Sequence, residues 1–89
     1  MKLGNRHRKT LAALFEEPVP AGVRWFDIEQ LLEASGAEIS QGRGSRVRIA
    51  LNDVRAVFHR PHPQKETDKG AVKSMRRFLV EAGIRPEKV

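Results

Sequence analysis

Between Gly42 and Arg60 the apolar positions Val47, Ile49, Leu51, Val54, Ala56 and Phe58 alternate with Arg46, Arg48, Arg55 and His59. A period of two is that of an extended strand with one buried side. Asn52-Asp53 in the middle has the composition of a two-residue turn. The segment therefore predicts a β-hairpin with one apolar face and one face of arginine and histidine. In that register Leu51 pairs with Val54, and Arg46 falls directly opposite His59.

Outside the hairpin the spacing becomes helical. From about His7 to Glu16, Leu11, Leu14 and Phe15 form a short stripe that Pro18 and Pro20 end. From Trp25 to Ser35, Trp25, Ile28, Leu31 and Leu32 make a second stripe, with Asp27 and Glu29 in its first turn and Gly36 as its stop. Ala37 to Ser40 predicts a short strand leading through Gly42 and Gly44 into the hairpin. Arg60 to Glu66 holds Pro61 and Pro63, which exclude a helix interior and a central strand, so it is a loop. Thr67 or Asp68 then caps a last helix whose apolar side is Ala71, Val72, Met75, Phe78, Leu79 and Ala82, ending at Gly83.

These elements assemble most simply as an α+β sandwich. The second and last helices cover the apolar face of a three-stranded antiparallel sheet, and the other face is wet. Residues 1–24 then form an N-terminal helical extension, packed at an edge or reaching towards a partner, ahead of a domain over 25–89.

Composition narrows the class. A chain of 89 residues with 39% hydrophobic content supports one domain with a modest core. It has no cysteine, no secretory segment and no long apolar run, which predicts a cytoplasmic protein without a membrane span. Seventeen Lys and Arg against eleven Asp and Glu give a net charge of +6, and the pI is near 10.5. That surplus favours a polyanion, with nucleic acid first and an acidic protein second.

Several chemistries are absent from the pattern. Gly42, Gly44 and Ser45 are not followed by the Gly-Lys-Ser/Thr ending of a nucleotide-hydrolase loop. Three histidines without cysteine do not make a zinc site, and no acidic pair marks a two-metal nuclease. What remains is a phosphate-binding surface. Its candidates are Arg43, Ser45, Arg46, Arg48, Arg55, Arg60 and Lys65 around the hairpin, and Lys69, Lys73 and Arg76, with Arg77, on the last helix.

Three blocks in order, Leu31-Leu32-Glu33-Ala34-Ser35-Gly36, Gly42-Arg43-Gly44-Ser45 and Pro61-His62-Pro63-Gln64-Lys65-Glu66, followed by Gly70 and the Ser74 to Gly83 segment, resemble the HicA family of type II toxin-antitoxin mRNA interferases. The resemblance covers about Trp25 to Ile84. It implies an α-β-β-β-α fold like a double-stranded-RNA-binding domain, a messenger RNA substrate and a cognate HicB-like antitoxin. The positive charge predicts an acidic contact surface on that antitoxin. His62 and Lys65 stand at the family's loop positions, whereas Arg46 stands where the family usually carries histidine.

Ribonuclease chemistry without a cofactor needs a base for the 2′-hydroxyl proton, an acid for the leaving oxygen and a cation for the phosphoryl charge. His59 and His62 are the candidate catalytic groups, with Arg46 and Arg48 as the cations. Each also has a plainer reading: His59 as the polar end of a strand, His62 as part of a rigid turn, Lys65 as a solvated lysine, and the last helix's cations as a solvated face with Arg77 paired to Glu81. His7 reads as a solvated helix residue and Trp25 as core. Three functions stay open: RNA cleavage, RNA binding without cleavage, and a module that meets only the antitoxin.

Overall fold

The computed structural model describes residues 2–88. In chain order they form α1 (Asn5–Leu14), α2 (Trp25–Ala34), β1 (Glu38–Gln41), β2 (Arg46–Leu51), β3 (Val54–His59), α3 (Lys69–Glu81) and a 3-10 turn at Pro86–Lys88. The strands form one antiparallel sheet in the order β1-β2-β3. The fold is the α+β arrangement that the alternating and helical spacings predict.

The β2–β3 register is the expected one, with Leu51 opposite Val54 and Arg46 opposite His59. Val47, Ile49, Leu51 and Phe58 are buried, while Val54 and Ala56 are partly buried against the same core. α2 packs on β1 and α3 on β3. Between them Phe58 touches Trp25 in a tilted pair and Phe78 edge-on, with both ring centroids 6.0 Å away. These are favourable aromatic geometries, and they join both helices to the last strand.

Helix ends follow their sequence signals. Asp68, not Thr67, caps α3, its carboxylate accepting from Ala71 N at 2.8 Å. After α2 and α3, Gly36 (φ 95°) and Gly83 (φ 81°) take left-handed backbone. The two bonds of each C-terminal motif close there: Ala37 N to Leu32 O and Gly36 N to Glu33 O, then Ile84 N to Leu79 O and Gly83 N to Val80 O.

α1 does not reach away from the body. Leu11 and Leu14 are fully buried in the same core as Ile28, Leu31, Val72 and Leu79, and α1 packs against both α2 and α3. Its C-terminus is held by Arg76, which donates from Nε to Leu14 O at 2.8 Å, from Nη2 to Glu16 O at 2.8 Å and from Nη1 to Glu17 Oε2 at 2.5 Å. The same guanidinium lies 5.8 Å from the Phe15 ring centroid.

A second arginine joins the helices to the far end of the sheet. Arg60 grips Glu29 of α2 with Nε at 2.7 Å and Nη2 at 3.3 Å, and its Nη1 donates to the Gln41 side chain of β1. Glu29 also accepts from the Trp25 indole, and Gln41 Nε2 donates to Gly44 O at 2.9 Å. The loop after β3 is tied down as well, through Trp25 N to Lys65 O (3.1 Å) and Thr67 N to Val23 O (2.7 Å).

Two stability measurements test this architecture. Leu14→Ala is expected to lower the unfolding free energy by about 2–5 kcal/mol in denaturant titration, as for a fully buried leucine; a loss no greater than at a surface site would detach α1 from the core. Glu29→Ala and Arg60→Ala are each expected to lose about 1–3 kcal/mol. Their double variant should lose clearly less than the sum, because both remove one interaction.

Candidate nucleic-acid interface

Alternation along the strands leaves one sheet face uncovered, and the register arranges its side chains in three rows. Arg46 stands across from His59; Arg48 lies between Ser40 and Val57; Ala50 lies between Glu38 and Arg55. Arg46, Arg48, Arg55, Val57 and His59 are all exposed. Counting from the two-residue turn, these β2–β3 rows are the non-hydrogen-bonded pairs, whose side chains approach most closely. Arg60 N donating to Ser45 O at 2.9 Å fits that count.

The turn between β1 and β2 brings Ser45 to the same corner, its Oγ 3.4 Å from His59 Nδ1. Arg43 is exposed in that turn, and Arg46 N donates to Arg43 O at 3.0 Å. Arg48 Nη1 reaches Gln41 O at 3.3 Å, leaving most of its guanidinium to solvent. Among the described residues, ion pairs form at Arg6–Asp27, Arg60–Glu29 and Arg76–Glu17. The arginines of the sheet face are thus charged groups without a carboxylate partner, which suits them to phosphate.

Between β3 and α3 runs a groove of about 440 Å³, lined by Arg55, Val57 and His59 from the strand and by Ala71, Ser74 and Arg77 from the helix, with the carboxylates of Asp68 and Glu81 also in its lining. Arg77 is therefore the α3 cation that faces the sheet edge. It follows Ser74 at i,i+3, as Ser74 follows Ala71, so a helix-face count from Ala71 could have identified it. The Arg77–Glu81 pair of the plainer reading does not form.

The remaining sequence-selected residues are dispersed. Lys69 and Lys73 are exposed on α3, outside the lining of the groove beside His59. Arg76 is turned to the end of α1, with its side chain only 20% exposed. Arg60 is committed to Glu29 and Gln41; the Glu29 hydrogen bond raises its pKa above the ordinary arginine value against the opposing effect of burial, and the Glu29 charge adds to the rise. It stays cationic at any working pH. His62 and Lys65 are exposed in the loop beyond β3, where the His62–Pro63 peptide is cis. His7 is half-buried on α1, and Trp25 belongs to the core.

The described residues include no group of three or more His, Asp, Glu or Cys placed to hold a metal ion, and no helix long and apolar enough to cross a membrane. What the face offers is a row of free cations, one histidine aligned with Arg46, and a hydroxyl beside it.

The family model for the HicA toxin of bacterial toxin-antitoxin matches residues 25–84. No curated protein and no solved structure matches the chain. The matched segment begins at the first residue of α2 and ends just past Gly83, so it takes in the whole sheet, the two helices packed on it and the exposed arginine face. α1 lies outside the match although it shares the core. On the extent of this match, the chain belongs to the HicA toxin family of bacterial toxin-antitoxin systems, a membership that implies an antitoxin partner.

Proposed function

We propose that this toxin binds RNA on the uncovered sheet face and cleaves it there, with messenger RNA as the substrate. The observation that carries the reading is the alignment of His59 with Arg46 on an exposed face that also presents Arg48 and Arg55 without carboxylate partners. The hairpin-face residues of this site belong to the 25–89 segment, and α1 supports that segment through Leu11 and Leu14.

Cleavage by transesterification needs no group beyond the chain and its solvent. His59, as base, takes the proton from the 2′-hydroxyl, whose oxygen attacks the adjacent phosphorus. The P–O5′ bond breaks, and the leaving 5′ oxygen takes a proton from solvent, because His62, the other candidate acid, stands apart in the loop beyond β3. Arg46 and Arg48 carry the charge that grows on the phosphoryl oxygens. Ser45, 3.4 Å from His59 Nδ1, restrains the imidazole ring. A HicB-like antitoxin with an acidic surface would cover these same cations in the cytoplasm and switch the activity off.

RNA binding without cleavage is the second reading. It is favoured by Arg46 itself, which occupies the position where the family usually carries histidine.

Induced expression with total RNA followed on gels separates the two. His59→Ala is expected to reduce cleavage by at least about 100-fold, in the range of a lost acid-base group, while purified protein keeps its RNA affinity. Arg46→Ala should weaken both. Intact RNA in cells expressing the wild type, together with tight binding in vitro, would leave the non-catalytic reading. RNA binding should also decline steeply as salt rises, by about 0.7 in log–log slope for each single-strand phosphate contacted; a flat response would exclude RNA as the ligand of this face.

A further inference from the structure

A second groove, of about 370 Å³, opens where α2 begins. Its lining includes Arg24, Phe26, Pro61, Pro63 and Lys65, together with the Arg60–Glu29 pair. Phe26 is 59% exposed, although its neighbour Trp25 is only 5% exposed. The helical period explains the contrast, since the inward stripe of α2 is Trp25, Ile28, Leu31 and Leu32, and Phe26 falls outside it.

A single exposed aromatic is ordinary. This one differs in its setting. The loop that faces it is fixed by the bonds of Trp25 N to Lys65 O and Thr67 N to Val23 O, so the groove has a defined shape before any ligand arrives. Its charged lining is three cations against one carboxylate, and that carboxylate is already gripped by Arg60. The surplus positive charge therefore sits with Arg24 and Lys65, which line the groove together with the exposed Phe26. A planar apolar wall beside cations matches a ligand that alternates flat rings with anionic groups, which is the chemistry of a nucleotide chain.

The groove also continues the proposed path of the RNA. Arg60 and Pro61, the two residues that follow His59, line it. We propose that Phe26 is a stacking platform for an unpaired RNA base adjacent to the scissile position, with Arg24 and Lys65 holding the flanking phosphates. This rests on the reading of the hairpin face as the RNA site and extends it around the end of the sheet.

The test is fluorescence anisotropy of the full chain with a short labelled single-stranded RNA, using Phe26→Leu, Phe26→Trp, Lys65→Ala and the double variant Arg46→Ala/Arg48→Ala. Phe26→Leu should weaken binding by about 5- to 100-fold, as for loss of one base–aromatic stack, with its salt dependence and unfolding transition unchanged. Phe26→Trp should restore affinity. Lys65→Ala should make the log–log salt slope shallower by about 0.7, the value for one phosphate. Wild-type affinity in Phe26→Leu alongside weakened binding in the double arginine variant would overturn the stacking site and leave the hairpin reading intact. The stacking site is likewise overturned if Phe26→Leu weakens only binding to the antitoxin. Unchanged binding in the double arginine variant would instead overturn the hairpin reading, whatever Phe26 does.

Discussion

Between β2 and β3 only two residues turn the chain, and both Asn52 (φ 51°) and Asp53 (φ 68°) lie in the left-handed region. That pair of positive φ values is what a tight hairpin requires, and Asn and Asp are among the few side chains that tolerate it. Asn52 then anchors the turn to the end of α3, donating from Nδ2 to Ala82 O at 2.8 Å. A slip of one residue would send Val47 and Ile49 into water and drive Arg46 and Arg48 into the core, where unpaired charge is very costly. Core and candidate site thus share one register, and neither can be altered without the other.

The same kind of side chain serves two ends in this molecule. Arg60 and Arg76 are internal fasteners, one binding α2 to the sheet through Glu29, the other closing α1 onto α3 through backbone carbonyls. Among the described residues, Arg46, Arg48 and Arg55 differ from them in forming no ion pair with a carboxylate. A guanidinium that already has acceptors arranged around it gains little from phosphate, whereas a solvated one at the sheet surface can exchange water for phosphate oxygens. Among these arginines, the positive charge still available to a polyanion is the fraction that the fold leaves unpaired.

Position in the fold also separates support from contact. α1 lies outside the family match, but Leu11 and Leu14 place it in the common core, so its role in the body of the protein is to complete the apolar layer beneath α2 and α3. The Trp25–Phe58–Phe78 cluster ties that layer to β3, the strand that carries His59. The side chains proposed to meet RNA therefore project from β2 and β3, from the first turn of α2 and from tied loops, which limits their movement before a ligand binds.

Hairpin, turn, helices and the composition of the exposed face were all legible in the residues alone, because periods of two and of about 3.6 are local properties of the chain. The pairing of Arg46 with His59 was legible too, since a two-residue turn fixes a register by counting. Other outcomes depended on partners distant in sequence. Arg60 meets Glu29 from 31 residues away, and Arg76 meets Leu14 from 62, so no spacing rule could assign these arginines to the interior. The place of α1, the turning of Arg77 to the sheet edge and the groove around Phe26 arise from how helices dock on the sheet. Local sequence determines which face each element buries; only packing decides what that face meets and which charges are left over.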